Sequence, residues 1–378
     1  MPTTSLTELY RIDQFNDTFA LGHYARVVDA LYRRTGQTVA FKVLRPEHLL
    51  PTADGDLRWE AIAFGNEADL LMRLVDSPYM VKLVDCGFVS DRGEAPNGGE
   101  ILSMGVDVLG FRQQLRQQVQ RGWRPYLALE NLPRVHNLLY LMKPNTLTNR
   151  RRLPSEEGLA LTVQFAEFLK FAHRQNIVYL DHKLDHVYWD GARLRIIDLN
   201  SSKLLEPNAP DTPQQIIKDI HNLCVGILYP IFTGMSPVKT TLRPQPGDQN
   251  TVDARYNEVN ALDFGIEPSL SELLIQLLQR GASMQIANID TFIRELQAVA
   301  AQHGWDFSDY YTSPASRTAR DDIRLGLRKL REGEDRLREA RDLFREAAIQ
   351  EGITPDLENE LRRLVKSIND ALNYRVIP

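Results

Sequence analysis

Hydrophobic and polar positions in the first third of the chain alternate in short runs. Thr38-Val39-Ala40-Phe41-Lys42-Val43-Leu44, after a Thr35-Gly36 turn, is rich in β-branched and aromatic residues and predicts a strand. The whole stretch from Tyr10 to Leu44 is strand-like. Val81-Lys82-Leu83-Val84 and Tyr126-Leu127-Ala128-Leu129 predict two more strands. Between them the period changes. From Leu57 to Val75 the residues Ile62, Leu70, Leu71 and Leu74 share a helical face, and Asp76-Ser77-Pro78 stops it. Ser90 to Arg124 fits neither period. It holds the polar turn Ala95-Pro96-Asn97-Gly98-Gly99 and a Gln/Arg-rich run from Arg112 to Arg121, and reads as an insertion with its own structure.

After Pro154 the pattern is helical. Ser155-Glu156-Glu157 is a good helix start, and Leu159, Val163, Ala166, Leu169 and Phe171 follow at helical spacing. Val187-Tyr188-Trp189 and Leu194-Arg195-Ile196-Ile197, joined through Asp190-Gly191, predict a β-hairpin. Helices are expected over Gln214–Phe232, Leu270–Leu278 and Asn288–Ala300. Composition shifts after Trp305, and 306–316 reads as a linker. From Arg317 a charged helix carries Ile323, Leu327, Leu330, Leu337 and Phe344; Gly352 and Pro355 end it. Leu357, Leu361, Leu364 and Ile368 mark a second helix, so an antiparallel hairpin is expected. That hairpin would dock on the preceding domain or form a homodimer contact.

Composition narrows the picture only a little. With 378 residues, 43% of them hydrophobic, the chain can build one large two-lobed domain plus an extra piece, or two ordinary domains. A net charge of −5 argues against a general nucleic-acid binder, which needs a basic face. The two cysteines, Cys86 and Cys224, make neither a disulfide framework nor a zinc site and are expected to be buried. The first residues lack the basic and apolar regions of a signal peptide. The most apolar stretch, Val225–Phe232, is too short to span a bilayer, so a cytoplasmic location without membrane contact is the expectation.

The candidate chemistry lies in an ordered series of motifs. Lys42 sits in Val39-Ala40-Phe41-Lys42, and Glu67 on the next predicted helix. Then come Tyr126-Leu127-Ala128-Leu129-Glu130-Asn131-Leu132 and the long run Asn176-Ile177-Val178-Tyr179-Leu180-Asp181-His182-Lys183-Leu184-Asp185-His186. Ile196-Ile197-Asp198-Leu199-Asn200 places Asp198 seventeen residues after Asp181, and Asp219-Ile220 follows. Phosphoryl transfer needs positioning and charge neutralisation more than covalent help. A Lys held by a Glu can orient phosphates, and an Asp at a strand end can ligate Mg²⁺. A second Asp can accept or orient a hydroxyl proton. Taken singly, each carboxylate reads equally as a cap or a solvated charge.

The ordered set, over roughly residues 10–302, resembles the protein kinase superfamily, in particular bacterial serine/threonine protein kinases. The resemblance implies an α+β, two-lobed fold: a β-rich N-lobe over 1–131 with the insertion at 90–124, a helical C-lobe over 132–304, and a linker with the helical hairpin over 305–378. It implies ATP and Mg²⁺ (or Mn²⁺) as cofactors. Gly22, Ala40, Lys42, Glu67, Glu130, Leu132 and Asp198 would surround the nucleotide. Asp181 and Lys183 would be catalytic, and Asp198 and His186 would hold metal. A protein substrate or partner is expected through 90–124 or the C-terminal helices.

Several positions depart from the family pattern. Leu21-Gly22-His23-Tyr24-Ala25-Arg26-Val27 keeps one glycine where three would let backbone N–H groups approach phosphate, and Tyr24 and Arg26 are candidates to replace or to block that contact. The family His-Arg is Tyr179-Leu180. The family Asn is His186, and neutral imidazole suits Mn²⁺ or Zn²⁺ better than Mg²⁺. Asp198 to Asp219 spans 21 residues without an Ala-Pro-Glu motif. Asn200 replaces a Gly and tolerates left-handed angles. Three readings stay open: an active kinase, a pseudokinase scaffold, and a kinase-fold enzyme with a non-protein substrate.

Overall fold

In the computed structural model the described residues are 3–12, 24–52, 55–142, 150–207, 209–238, 249–302, 304, 314–350 and 352–373. Gly22 lies outside them, as does most of the expected linker.

The front of the molecule is a seven-stranded antiparallel sheet. Its strands are β1 (Thr4–Ser5), β2 (Tyr10–Ile12), β3 (Ala25–Tyr32), β4 (Gln37–Leu44), β5 (Leu83–Val89), β6 (Glu100–Ser103) and β7 (Arg124–Glu130). They run in the order β1-β6-β5-β7-β4-β3-β2. Helix α1 (Leu6–Leu9) bridges β1 and β2; α2 (Trp59–Arg73) and α3 (Val108–Gln120) complete this part. Alternation along β4 sorts its side chains. Val39, Phe41 and Val43 pack with Tyr10, Tyr126 and Ala128 on one face. Lys42, opposite Leu127 and Val27, turns to the other.

A buried carboxylate anchors the first face. A register shift between Leu83 and Asp85 interrupts β5. It leaves Asp85 to accept from Tyr126 Oη (2.7 Å), Tyr10 Oη (2.8 Å), Ser103 Oγ (2.9 Å) and the Gly105 N–H (2.8 Å). Burial raises its pKa and these donors work against that rise.

Residues 90–124 are not a separate insertion. β6 pairs with both β5 and β1, so it extends the main sheet. α3 packs on α2 so closely that a Cβ on Gly65 would stand 3.3 Å from Leu115 Cδ2. The reason is apolar: Phe111, Leu115 and Val119 of α3 belong to the same core as Phe64, Ala68 and Leu71 of α2. The helix predicted over 57–75 is observed two residues shorter at each end, and the strand predicted from Val81 begins at Leu83.

The back is helical: α4 (Leu138–Leu141), α5 (Ser155–Arg174), α6 (Thr212–Leu223), α7 (Tyr229–Thr233), α8 (Gln249–Ala254), α9 (Glu272–Ala282) and α10 (Ile289–Gln302). The one helix expected over 214–232 is α6 and α7 joined by a π-turn, Cys224–Leu228. Two small ribbons accompany the helices: β8 (Ile177–Val178) with β11 (Lys203–Leu204), and the expected hairpin β9 (Val187–Trp189) with β10 (Leu194–Ile196). Ile196 ties front to back, donating to Tyr79 O (2.8 Å) and accepting from the Val81 N–H (3.2 Å). The mixed α+β class is as expected. One hydrophobic cluster runs from Tyr24 and Leu44 through α2 to α5, α6, α9 and α10.

Two further helices, Pro314–Ala348 and Pro355–Asn373, pack against each other. The first begins three residues earlier than expected. Leu343 and Ile349 stay 64% and 83% exposed, so these two apolar side chains are not docked on the rest of the chain.

Candidate active site

Lys42 is buried at the centre of the site. Its Nζ donates to Glu67 Oε2 (2.8 Å) and Oε1 (3.1 Å) and lies 3.5 Å from Asp198 Oδ1. These groups come from β4, from α2 and from the turn after β10. Burial disfavours the lysine's charge, but Asp198 and Glu67 outweigh it and raise its pKa. Burial pushes Glu67 upward, aided by Asp198 and opposed by Lys42. The pKa of Asp198 falls below the carboxylate range despite burial, because Lys42, His186 and Lys183 surround it.

Asp198 adopts φ 65°, a left-handed angle that Asp tolerates, and accepts from the Asn200 N–H (3.2 Å). Asn200 itself has no positive φ. The expectation that Asn200 stands in for a left-handed Gly is therefore corrected: the strained backbone is at Asp198, and Asn200 caps it.

Asp181 sits on a loop organised from below by Asp219. Asp219 accepts the Leu180 N–H (2.7 Å), the Tyr179 N–H (3.0 Å) and a bond with His173 Nε2 (2.9 Å). Burial works against its charge, yet these partners and His182 lower its pKa. Leu180 takes φ 63°, a rare angle for a branched residue, held by Asn222 Nδ2 donating to its carbonyl (2.8 Å). The replaced family pair Tyr179-Leu180 thus meets Asp219 through backbone, so its side chains do not alter this contact. Tyr179 Oη donates to Ile197 O (2.9 Å), next to Asp198. His182 is a packing residue: its ring lies 5.4 Å from Phe165 and 4.9 Å from Tyr179, and burial lowers its pKa.

Two cations and an imidazole face Asp181. Lys183 Nζ is 3.3 Å from Oδ2 and His186 Nδ1 is 3.7 Å away. Arg255 Nη1 bonds Oδ1. Burial disfavours its charge, but Lys183, His186 and Arg255 lower its pKa. Sequence reasoning missed Arg255, which lies 74 residues along the chain with no local motif. The imidazole of His186 stands between the two carboxylates, its Nε2 3.3 Å from Asp198 Oδ2. Burial, then Lys183, lowers its pKa.

The remaining expected positions divide. Ala40 and Leu132 are partly buried against the main core. The Glu130 side chain turns to Arg195 and to the Lys82 N–H (3.2 Å). Tyr24 is buried against Trp59 and Phe64, with Lys42 Nζ 5.8 Å from its ring centre and its hydroxyl without a hydrogen-bond partner among the described residues. Arg26 cannot replace the missing glycines. It is paired with Val43 on the face opposite Lys42 and bonds Glu94 (2.5 Å).

For a metal, the donors are few. Among the described residues no group of three or more His, Cys, Asp or Glu side chains forms a ligating cluster. Asp198 Oδ2 and His186 Nε2 converge, but a closed all-protein site is not built. One carboxylate and one imidazole leave most positions open to phosphates and water, and the imidazole suits Mn²⁺ better than Mg²⁺.

No protein-family model matches the chain. Over 268 residues it is 24% identical to the atypical protein kinase C of Drosophila melanogaster, covering 66% of this chain and 37% of that protein. The relationship is protein-kinase-like. The chain spans little more than a third of this relative's length, and among the described residues no helix is long and apolar enough to cross a membrane.

Proposed function

We propose that the chain is an ATP-dependent phosphotransferase with a two-lobed, protein-kinase-like body over 1–304 and serine/threonine-type acceptor chemistry. The observation that carries this reading is the meeting of Lys42, Glu67 and Asp198 within 3.5 Å contacts beside Asp181. In this reading Lys42, held by Glu67, orients the α- and β-phosphates. Asp198 and His186 would hold Mg²⁺ or Mn²⁺, which would neutralise phosphate charge when bound. Lys183 reaches the transferring phosphate, and Asp181 accepts the hydrogen bond of the acceptor hydroxyl. Adenine lies against Ala40 and Leu132 along the strand end at Glu130.

The experiment is incubation with γ-labelled ATP and Mg²⁺ or Mn²⁺, beside an Asp198→Ala variant. Transfer of label to an acceptor, lost in the variant, is expected. Absence of transfer together with a Lys42-dependent thermal shift on ATP would leave a nucleotide-binding scaffold. No shift with any nucleotide overturns the ATP site.

A further inference from the structure

Asp181 is approached by a part of the chain that the motif series does not include. Helix α8 and the two residues after it, 249–256, are pinned to both sides of the catalytic loop. Gln249 Nε2 donates to Ser201 O (3.2 Å), and Lys203 Nζ pairs with Asp253 Oδ2 (2.5 Å), so the short stretch after Asp198 is bound to α8. At the other end Tyr256, 4% exposed, donates its hydroxyl to His182 O (2.8 Å), the carbonyl beside Asp181. Glycine at 226 makes this close approach feasible: a Cβ there would lie 2.4 Å from His182 O and 2.8 Å from Tyr256 Oη. Arg255, held between these anchors, is delivered onto Asp181 Oδ1 with its side chain 8% exposed.

We propose that segment 249–256 is a clamp on the acceptor side of the cleft and that Arg255 is the positioning residue which fixes the Asp181 carboxylate for the acceptor hydroxyl. This rests on the phosphotransferase reading. A planar guanidinium bonded to Oδ1, opposite Lys183 at Oδ2, leaves the carboxylate little torsional freedom. A carboxylate has about four lone-pair sites, so one cation on each oxygen leaves room to accept a hydroxyl. The anchors matter because they tie the segment after Asp198 to the residues that carry Arg255. α8 supplies the brace, pairing with that segment through Ser201 and Lys203.

The test uses the full chain, ATP with Mg²⁺, and water as the acceptor, following ADP formation in wild type, Arg255→Ala, Arg255→Lys and Tyr256→Phe. The expected result for Arg255→Ala is a kcat lower by about 100-fold, the scale of a misplaced reacting group, with the KM for ATP unchanged although loss of the buried pair lowers the thermal midpoint. Added guanidinium ion restores part of that kcat, and Arg255→Lys retains part of it, which loss of a merely structural contact would not produce. Tyr256→Phe loses less, because Arg255 remains. An unchanged kcat in Arg255→Ala overturns the proposal. So does a faster one, which would mean that the guanidinium occupies the acceptor's place. Equal losses of kcat, ATP affinity and thermal midpoint also overturn it, as a folding effect. A wild-type chain that neither hydrolyses ATP nor passes its γ-phosphate to a hydroxyl acceptor overturns the phosphotransferase reading, and the clamp with it.

Discussion

The two halves of the candidate site carry opposite arrangements of charge. On one side a single ammonium, Lys42, serves two carboxylates, Glu67 and Asp198. On the other a single carboxylate, Asp181, is surrounded by Lys183, Arg255 and His186. The first side has carboxylate to spare, which suits a cation arriving with phosphates. The second keeps its carboxylate ionised, which suits accepting a hydrogen bond from a neutral hydroxyl. The difference teaches that the two sides can be disabled separately.

The largest effect is expected from Lys42→Ala. It leaves Glu67, which has no exposure, and Asp198 without their ammonium. Affinity for ATP should fall at least about 100-fold, or roughly 2.7 kcal/mol, in calorimetry. The bond of Arg255 to Asp181 should survive, seen as exchange-protected guanidinium protons in nitrogen-labelled protein.

Asp219→Asn attacks the other side from beneath. It removes a charge that accepts two loop N–H groups, costing about 2 kcal/mol in denaturant unfolding at neutral pH. The folded pKa of Asp219 is depressed, so its contribution is present above the unfolded carboxylate range and lost as pH falls through the folded value. The variant should therefore lose less stability than wild type on acidification below about pH 4. An equal acid response in both would contradict the charge assigned to Asp219.

Gly65→Leu is the gentlest of the three. It drives a side chain toward Leu115 and Arg112 of α3 and costs about 1 kcal/mol by overpacking. Because α2 carries Glu67, the nucleotide side should weaken while the acceptor side holds. The measurement is the thermal midpoint with and without ATP, and an undiminished ATP-induced shift would separate α3 from the site.

How far these features were legible depends on how locally they are encoded. Lys42, Glu67 and Asp219 sit in apolar strand or helix patterns and Asp181 and Asp198 in loops beside short strands, and it was the resemblance of the ordered motif series that implied they would meet. Arg255 and Tyr256 follow a six-residue helix in polar sequence, and only tertiary folding brings them to Asp181. Asp85 was hidden because an isolated acid in Leu83–Val89 resembles a surface position until the register shift turns it inward. The 90–124 region was misread because a four-residue strand after Gly98-Gly99 is too short to show alternation, and the glutamines of α3 mask its apolar stripe. Arg26 was misassigned because strand parity, not proximity to Gly22, decides which face a side chain takes.

The enclosure of the two cysteines has a practical consequence. Cys86 lies in β5 of the front sheet, and Cys224 at the π-turn, where a Cβ on Gly281 would stand 2.2 Å from its Sγ. Burial raises both thiol pKa values and leaves neither sulfur accessible. A thiol-reactive dye can therefore label each sulfur only when its surroundings open, and the two labelling rates are native clocks, one per half of the molecule. If the halves breathe independently the clocks run at different speeds, and if the shared core makes them open together they keep the same time.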